Sequence, residues 1–540
     1  MGKTLQNCIL AVDLGTSGPK TALVTVHGKL IDACFEEVPL LLPEEGGAEQ
    51  DPAAWWAAIK NTAKTVLARN PEPAASLAAV CCTSQWSGTV CVDEAGEPLM
   101  NAVIWLDTRG SPYIRNIVSG FPRIEGYGAG KLIKWLRLTG GIPSLSGKDP
   151  LAHILYIKNE RPDIFARTYK FLEPRDFINA RLTGRLATSQ ECITLHWLTD
   201  NRDLKKVGYH PDLLAMAGLS EEKLPAIRSS VDILGPVLPE LARELGLKPD
   251  VPVVMGAPDV HSAIIGSGAV FDYQAHLYIG TSSWLTCHVP FKKTSVSSNM
   301  AALPAALPER YFVANEQETA GACLNYLSEN LLFYRKGMLA ADVSADVSAD
   351  APADVYGRLE ALAQSVPAGS KNIIFTPWLY GERTPVENHS LRGGFYNLGL
   401  DTHQGHLVRA VFEGVAYNSR WLLEAVEKFI RSPLESIRFI GGGARSRLWA
   451  QIHADVLGRR ICQVADPISA NVRGAGLLAA YALGHVRLSD IPELVAVDAV
   501  FDPDPANHRL YTALFGEFKQ IYRNNRRMYA RLNRRRPIHG

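Results

Sequence analysis

The sequence predicts an α/β protein built from two copies of one domain, and three observations carry that expectation. At 540 residues the chain exceeds what one ordinary hydrophobic core holds. The runs ILAVDLGTSGPKTALVTV from Ile9 and AHLYIGTSSWLTCHV from Ala275 share one order of apolar strand, Gly-Thr-Ser turn and apolar strand, and repetition at such a separation marks a duplicated domain. Each copy then closes alike. The apolar run 251–255 breaks at Gly256-Ala257-Pro258 and enters a small-residue helix at Asp259-Val260-His261, and the pattern returns at Asn471-Val472-Arg473-Gly474 without the carboxylate. The division is expected at residues 1–270 and 271–540.

In chain order, residues 8–14 and 20–26 read as strands around a turn at Gly15–Gly18, with a third strand over 30–38. Asp13, at a strand end, is placed to hold a hydrated Mg²⁺ beside phosphates met by Gly15, Thr16 and Ser17. Taken alone, that turn suits an ordinary hairpin better. Asp51-Pro52 opens a helix whose Trp55-Trp56 pair reads as core and rim. The strand 77–83 runs into Gln85, Trp86, Ser87 and Gly88, and the strand 103–105 into Asp107 and Arg109. Trp86 and Trp105 beside such hydrogen-bonding groups suit a polyhydroxylated ligand; either loop alone reads equally well as solvated connection. Residues 150–187 are helical in pattern with Gly184 as a C-cap. Glu191, His196 and Asp200 match no metal or nucleophile spacing. Asp259 is a single acid delivered at a strand end. Behind it, Ala263, Gly266 and Gly268 leave room for a second backbone or a phosphate.

In the second copy, Gly280, Thr281 and Ser282 repeat the phosphate-cradling turn. A strand at 436–440 runs into Gly441, Gly442, Gly443 and Ala444, flat backbone that suits a planar base or a phosphate. Neither GxxxxGK[ST] nor GxGxxG occurs there. Glu382-Arg383 reads as a structural ion pair at a domain boundary, and 406–427 as a long amphipathic helix. Residues 340–354 read as an acidic, repetitive surface insertion, and 523–536 as a basic terminal helix that Tyr522, Met528, Tyr529 and Leu532 are expected to dock.

Composition excludes several classes. Fifty-six Lys plus Arg against 55 Asp plus Glu give no bias toward nucleic acid or membrane surfaces. Nine cysteines without a CxxC pair suggest reduced core residues. No signal-peptide pattern or membrane-length apolar run is present, so the expected location is the cytoplasm.

Together, DLGTSGPK at Asp13, AEQDPAAWW at Ala48, the strand end at Gln85, GAPDVHSA at Gly256, GTSS at Gly280, GERTP at Gly381 and GGGARSRLW at Gly441 resemble the FGGY carbohydrate kinases, in order and almost end to end. The likeness is nearest to the xylulokinase branch. It implies two actin-like (ribonuclease H-like) ATPase domains flanking a catalytic cleft, with sugar mostly on the first, ATP mostly on the second, and a small-molecule sugar as the partner; a homodimer is compatible with it. It further implies Asp259 as the general base, Asp13 near Mg²⁺, Gly15, Thr16, Ser17, Gly280, Thr281 and Ser282 as phosphate contacts, and Gly441 to Ala444 as the nucleotide platform. Gln85, Trp86, Ser87, Trp105, Asp107 and Asp259 are the substrate contacts expected. Two departures concern the sugar: Gln85-Trp86-Ser87-Gly88 stands where the branch has Gln-Met-His-Gly, and Asp259-Val260 where it has Asp-Asn. They put D-xylulose in question and leave ribulose, another ketose or a sugar alcohol open. A non-catalytic actin-like ATP- or sugar-binding regulator is the competing class, and Asp259 argues against it. A chaperone-type ATPase would carry a peptide-binding β domain for which no residues remain.

Overall fold

The computed structural model describes residues 7–332 and 355–533, so the acidic insertion at 340–354 lies outside the described residues. Six strands form the first sheet: β1 (Cys8–Gly15), β2 (Gly18–Thr25), β3 (Leu30–Phe35), β4 (Leu77–Ser84), β5 (Ile233–Pro236) and β6 (Pro252–Val254). Their spatial order is β5-β6-β4-β1-β2-β3. β1 to β3 are an antiparallel meander, β4 and β6 add on parallel to β1, and β5 closes the edge antiparallel.

The second sheet repeats this plan. Its strands are β7 (Ala275–Ile279), β8 (Ser283–Val289), β9 (Thr294–Ser295), β10 (Met300–Pro304), β11 (Tyr311–Ala314), β12 (Ser436–Ile440), β13 (Arg460–Val464) and β14 (Val497–Phe501). The order β9-β10-β11-β8-β7-β12-β13-β14 matches the first sheet strand for strand from β11 to β14, and β9-β10 extend one edge. β7 pairs antiparallel with β8 and parallel with β12, as β1 does with β2 and β4.

β1 is buried on both faces, which is why its sequence is a continuous apolar run rather than an alternation. Leu10 and Val12 face α1 (Pro52–Arg69) and its Trp55 and Ile59. Asp51 caps that helix, its carboxylate accepting from the Ala53 amide at 2.8 Å. Ile9, Ala11, Ala22 and Ala79 face the opposite way, and their small side chains let helices lie close to the sheet. The other helices that matter are α2 (Pro174–Thr183), which ends at left-handed Gly184, then α3 (Asp259–Gly266), α4 (Gln404–Ile430), α5 (Arg447–Leu457), α6 (Ala470–Ala482) and α7 (Pro505–Leu532).

The two halves meet where α3 crosses α6, and the crossing is reciprocal. A Cβ on Gly266 would lie 1.8 Å from the Ala470 carbonyl oxygen, and one on Gly474 would lie 1.8 Å from that of Ser262. The space expected behind Asp259 is thus filled by backbone. At the C-terminus Tyr529 is buried and Tyr522 and Met528 pack on the core as expected, whereas Leu532 is exposed and does not dock. None of the nine cysteines, all of them among the described residues, is in a disulfide, and seven are buried. No described helix is long and apolar enough to cross a membrane.

Candidate active site

β1, β4 and β6 are parallel, so their C-terminal ends share one edge, the place where open α/β sheets bind ligands. Asp13 stands near the end of β1 there, Gln85 follows β4, and Asp259 follows β6. Asp259 is the first residue of α3, and its Oδ1 accepts from the Val260 amide at 2.8 Å. Burial pushes its pKa up to about 7, and the Asp13 carboxylate adds to the push. Asp13 is raised to about 6, again by burial, with Lys20 and the Asn471 side chain pulling it back. Asn471 belongs to α6 and is the residue that the internal repeat aligns with Asp259. Asp13 Oδ1 is buried without a hydrogen-bond partner among the described residues. Two neighbouring carboxylates, one with an orphaned oxygen, are a donor set suited to a hard dication that also keeps waters and takes phosphate oxygens. Among the described residues no three His, Cys, Asp or Glu side chains converge as a closed metal cage.

Tyr278 stands in β7 where Asp13 stands in β1, and burial pushes its phenol up, with the Asp259 and Asp13 carboxylates adding to the push. Its ring stacks on Trp284 at 3.9 Å. Sequence reasoning passed over Tyr278, although the aligned repeats held the signal.

On the first-domain side the Thr16 hydroxyl accepts from Trp105 Nε1 (2.9 Å) and donates to Gln85 Oε1 (3.2 Å). Gln85 Nε2 donates to Gln50 Oε1 (2.8 Å), and Gln50 Nε2 donates to the Thr16 carbonyl (2.7 Å). Thr16, expected to offer its hydroxyl to phosphate, therefore spends it on the Gln85 and Trp105 side chains. Gln50, within the AEQDP motif, completes the ring. Asp107 requires a correction: it is fully buried, with its oxygens taken by the Ala48 amide (2.9 Å) and by the amide and guanidinium of Arg109 (2.8 Å each), so it does not reach the cleft. The Ser87 hydroxyl is likewise committed, donating to the Lys148 carbonyl at 2.8 Å. Trp86 donates its indole N–H to the Cys192 carbonyl at 2.9 Å and packs edge-on against buried His261, which makes it a wall.

Across the cleft, Thr281 and Ser282 expose hydroxyls that have no hydrogen-bond partner among the described residues, and Ser17 does the same on the β1 turn. The three glycines divide. Gly441, at φ +91°, and Gly443 pack against Ile279 so closely that a Cβ would lie 2.5 Å from its carbonyl oxygen and 2.4 Å from its Cγ2, respectively. A Cβ on Gly442 would meet nothing within 4 Å, so Gly442 presents the open face. Ala444 ends the run with its side chain buried and its carbonyl accepting from Gln463 Nε2 at 2.5 Å.

Glu382 and Arg383 do not pair through their side chains. Glu382 is buried and accepts from Asn418 Nδ2 at 2.6 Å, whereas Arg383 pairs with Glu316 and with Glu318, the latter at 2.8 Å. Lys148, reaching over from the first half, lies 3.7 Å from Glu318 Oε1, 5.9 Å from the Trp105 ring centre and 5.6 Å from that of Tyr380. Glu316 adds to the negative field at Asp259. This four-charge cluster spans the cleft, and only Arg383 of it had been singled out from the sequence. Glu191 and His196 are buried in the first half, Glu191 against Arg175, while Asp200 pairs with Arg202 at the surface.

The N-terminal domain model of the FGGY family of carbohydrate kinases matches residues 8–266, and the C-terminal domain model of that family matches residues 275–483. A xylulose kinase of Staphylococcus epidermidis (strain ATCC 12228 / FDA PCI 1200) is 29% identical over 98% of this chain and 99% of its own. A gluconokinase of Bacillus subtilis (strain 168) is 24% identical over 97% of each. The crystal structure of ligand-bound xylulose kinase from Lactobacillus acidophilus superimposes with a TM-score of 0.84 at 24% identity, covering 98% of this chain and all of that one. With both family domains matched across most of its length, the chain belongs to the FGGY family of carbohydrate kinases.

Proposed function

We propose that this carbohydrate kinase transfers the γ-phosphate of ATP to a hydroxyl of a small neutral ketose, D-xylulose first among them. The single observation that carries the mechanism is Asp259, held at the start of α3 beside Asp13 with its basicity raised to about 7. In the reaction the sugar oxygen bonds to the γ-phosphorus as its proton passes to the Asp259 carboxylate, and the bond from that phosphorus to the bridging oxygen breaks to release ADP. A base near neutrality is ionised often enough to accept that proton and basic enough to hold it. Backbone N–H groups of the Gly15–Ser17 and Gly280–Ser282 turns, with the free hydroxyls of Ser17, Thr281 and Ser282, are the phosphate donors, and Gly442 offers the open backbone for the nucleotide. Asp13, with Asp259 at its side, would hold Mg²⁺, which supplies charge neutralisation on the phosphates.

The choice of a neutral sugar rests on the cleft cluster. Lys148 and Arg383 are balanced by Glu316 and Glu318, and Asp13 and Asp259 add negative charge close by. A carboxylate-bearing aldonate would enter against that field, with both cations already lying against glutamates, which ranks gluconate below ketoses.

The test is ADP release with Mg-ATP over a panel of ketoses, polyols and gluconate, with Asp259→Asn alongside. The expected result is stimulation by D-xylulose that falls at least ~10³-fold in Asp259→Asn, with Mg-ATP binding within a few-fold of the parent. A preference for gluconate would replace the substrate, and transfer surviving in Asp259→Asn would remove the base.

A further inference from the structure

Helix α2 holds two loops of the site at once. Glu173, at its N-cap, accepts from the Gly88 amide at 2.9 Å and so fixes the loop that follows β4. Arg175 Nη1 donates to the Gly256 carbonyl at 2.6 Å, and Asn179 Nδ2 donates to the Met255 carbonyl at 2.8 Å. These carbonyls lie just past the last β4–β6 rung, Val254 against Cys81. They belong to the turn that delivers Asp259. That turn is tight: Gly256 has φ +76°, and a Cβ there would lie 2.1 Å from the Cys82 carbonyl oxygen.

Arg175 is completely buried, as are Asp176 and Glu191 around it. Its Nε donates to Asp176 at 3.1 Å, and its Nη1 also reaches Ser189 Oγ at 2.8 Å and Glu191 at 3.5 Å. Burying such a group of charges is costly, and apolar side chains of similar volume would serve packing as well or better. What a planar guanidinium adds is several donors in fixed directions, so it can rest on Asp176, Ser189 and Glu191 while gripping a backbone carbonyl on the far side.

We propose that Arg175, assisted by Asn179, is a positioning residue for phosphoryl transfer: through the Gly256 and Met255 carbonyls it fixes the turn that carries Asp259, while Glu173 on the same helix fixes the sugar-side loop Gln85–Gly88. Base and acceptor are thereby set from one rigid element. This rests on the reading of Asp259 as the base. A displacement of about 1 Å in such a constellation costs on the order of 10²-fold in rate.

The experiment compares Arg175→Lys, Asn179→Leu and Asp259→Asn in steady-state sugar phosphorylation, with Mg-ATP binding and thermal melting measured on each. Arg175→Lys keeps a cation among the buried carboxylates but cannot grip Gly256 and Ser189 together. Asn179→Leu drops only the donor to Met255, since the Asn179 Oδ1 has no hydrogen-bond partner to lose. The expected result is kcat lowered ~30- to 100-fold in Arg175→Lys and ~3- to 10-fold in Asn179→Leu, with the KM for Mg-ATP within twofold of the parent in both. If Arg175→Lys does not fold, Asn179→Leu decides alone. Parent-like kcat in folded Arg175→Lys or Asn179→Leu, beside an inactive Asp259→Asn, overturns the positioning role and leaves the base standing. Losses that vanish on assay well below the melting temperature also overturn it, because they report stability alone. Transfer that survives in Asp259→Asn overturns the base assignment and the positioning role with it.

Discussion

As the proposed base, the Asp259 carboxylate has to be ionised to accept the sugar proton, and its surroundings favour the neutral acid. Desolvation first, and the adjacent Asp13 second, push its pKa up to about 7. A base works only when deprotonated, so the rate falls as pH drops through that value. With both substrates well below KM, the rate is expected to fall about tenfold per unit below about pH 7 and to be level above it. A flat profile from about pH 5.5 to about pH 8 would take Asp259 out of the proton transfer. Residues of this kind were legible in the sequence because a strand, a Gly-Ala-Pro break and a helix announce an acid at a sheet edge. The commitments of Asp107 and of the hydroxyls of Thr16 and Ser87 were not, because position at a strand end does not say which neighbour claims an atom. Asp107 answers to Ala48, 59 residues away. Ser87 answers to Lys148, 61 residues away.

Among the elements, the α3–α6 crossing couples the proposed base to the domain interface. Asp259 and Ser262 share one turn of α3, and Gly474 of α6 lies against the Ser262 carbonyl. Gly474→Ala forces the two backbones apart, an overpacking penalty of about 1–3 kcal/mol, and shifts the turn that carries Asp259. The expected outcome is a lower melting temperature together with a lower kcat, whereas Gly442→Ala, with open space around its Cβ, leaves the melting temperature in place. Equal melting temperatures for the two variants would show that the crossing tolerates separation. The duplication visible at Ile9 and Ala275 correctly anticipated the matched strand pairs, since the antiparallel start follows directly from the repeated turn. The edge strands β5 and β14 escaped it. They fill equivalent places from opposite sides in sequence, β5 before β6 and β14 after β13, so no linear repeat connects them. The long helix was expected over 406–427 and spans Gln404–Ile430. Helix ends depend on capping and local packing more than on hydrophobic period.

Across the whole molecule, the cleft is spanned by charge as well as by backbone. The Lys148 ammonium of the first half sits against Glu318 of the second, and the Lys148 carbonyl accepts from Ser87 in the loop that follows Gln85. The side chains of Lys148 and Glu318 are only 11% and 5% exposed, so their attraction is weakly screened and, unlike that of a surface pair, holds the halves in register. Nothing in the sequence joined these two residues, which stand 170 positions apart and share no motif. The pair has a mechanistic consequence because water is the competing phosphoryl acceptor. An enzyme whose halves close firmly over the sugar excludes it, and one that closes loosely hydrolyses ATP without making sugar phosphate. Lys148→Met keeps the aliphatic stem and removes the charge, while Glu318 retains Arg383 as a partner, so the fold is expected to survive. The KM for the sugar should then rise about tenfold. ADP released per sugar phosphate formed should climb above one, most steeply at low sugar concentration. An unchanged ratio and KM in the folded variant would show that closure is governed by the α3–α6 crossing alone.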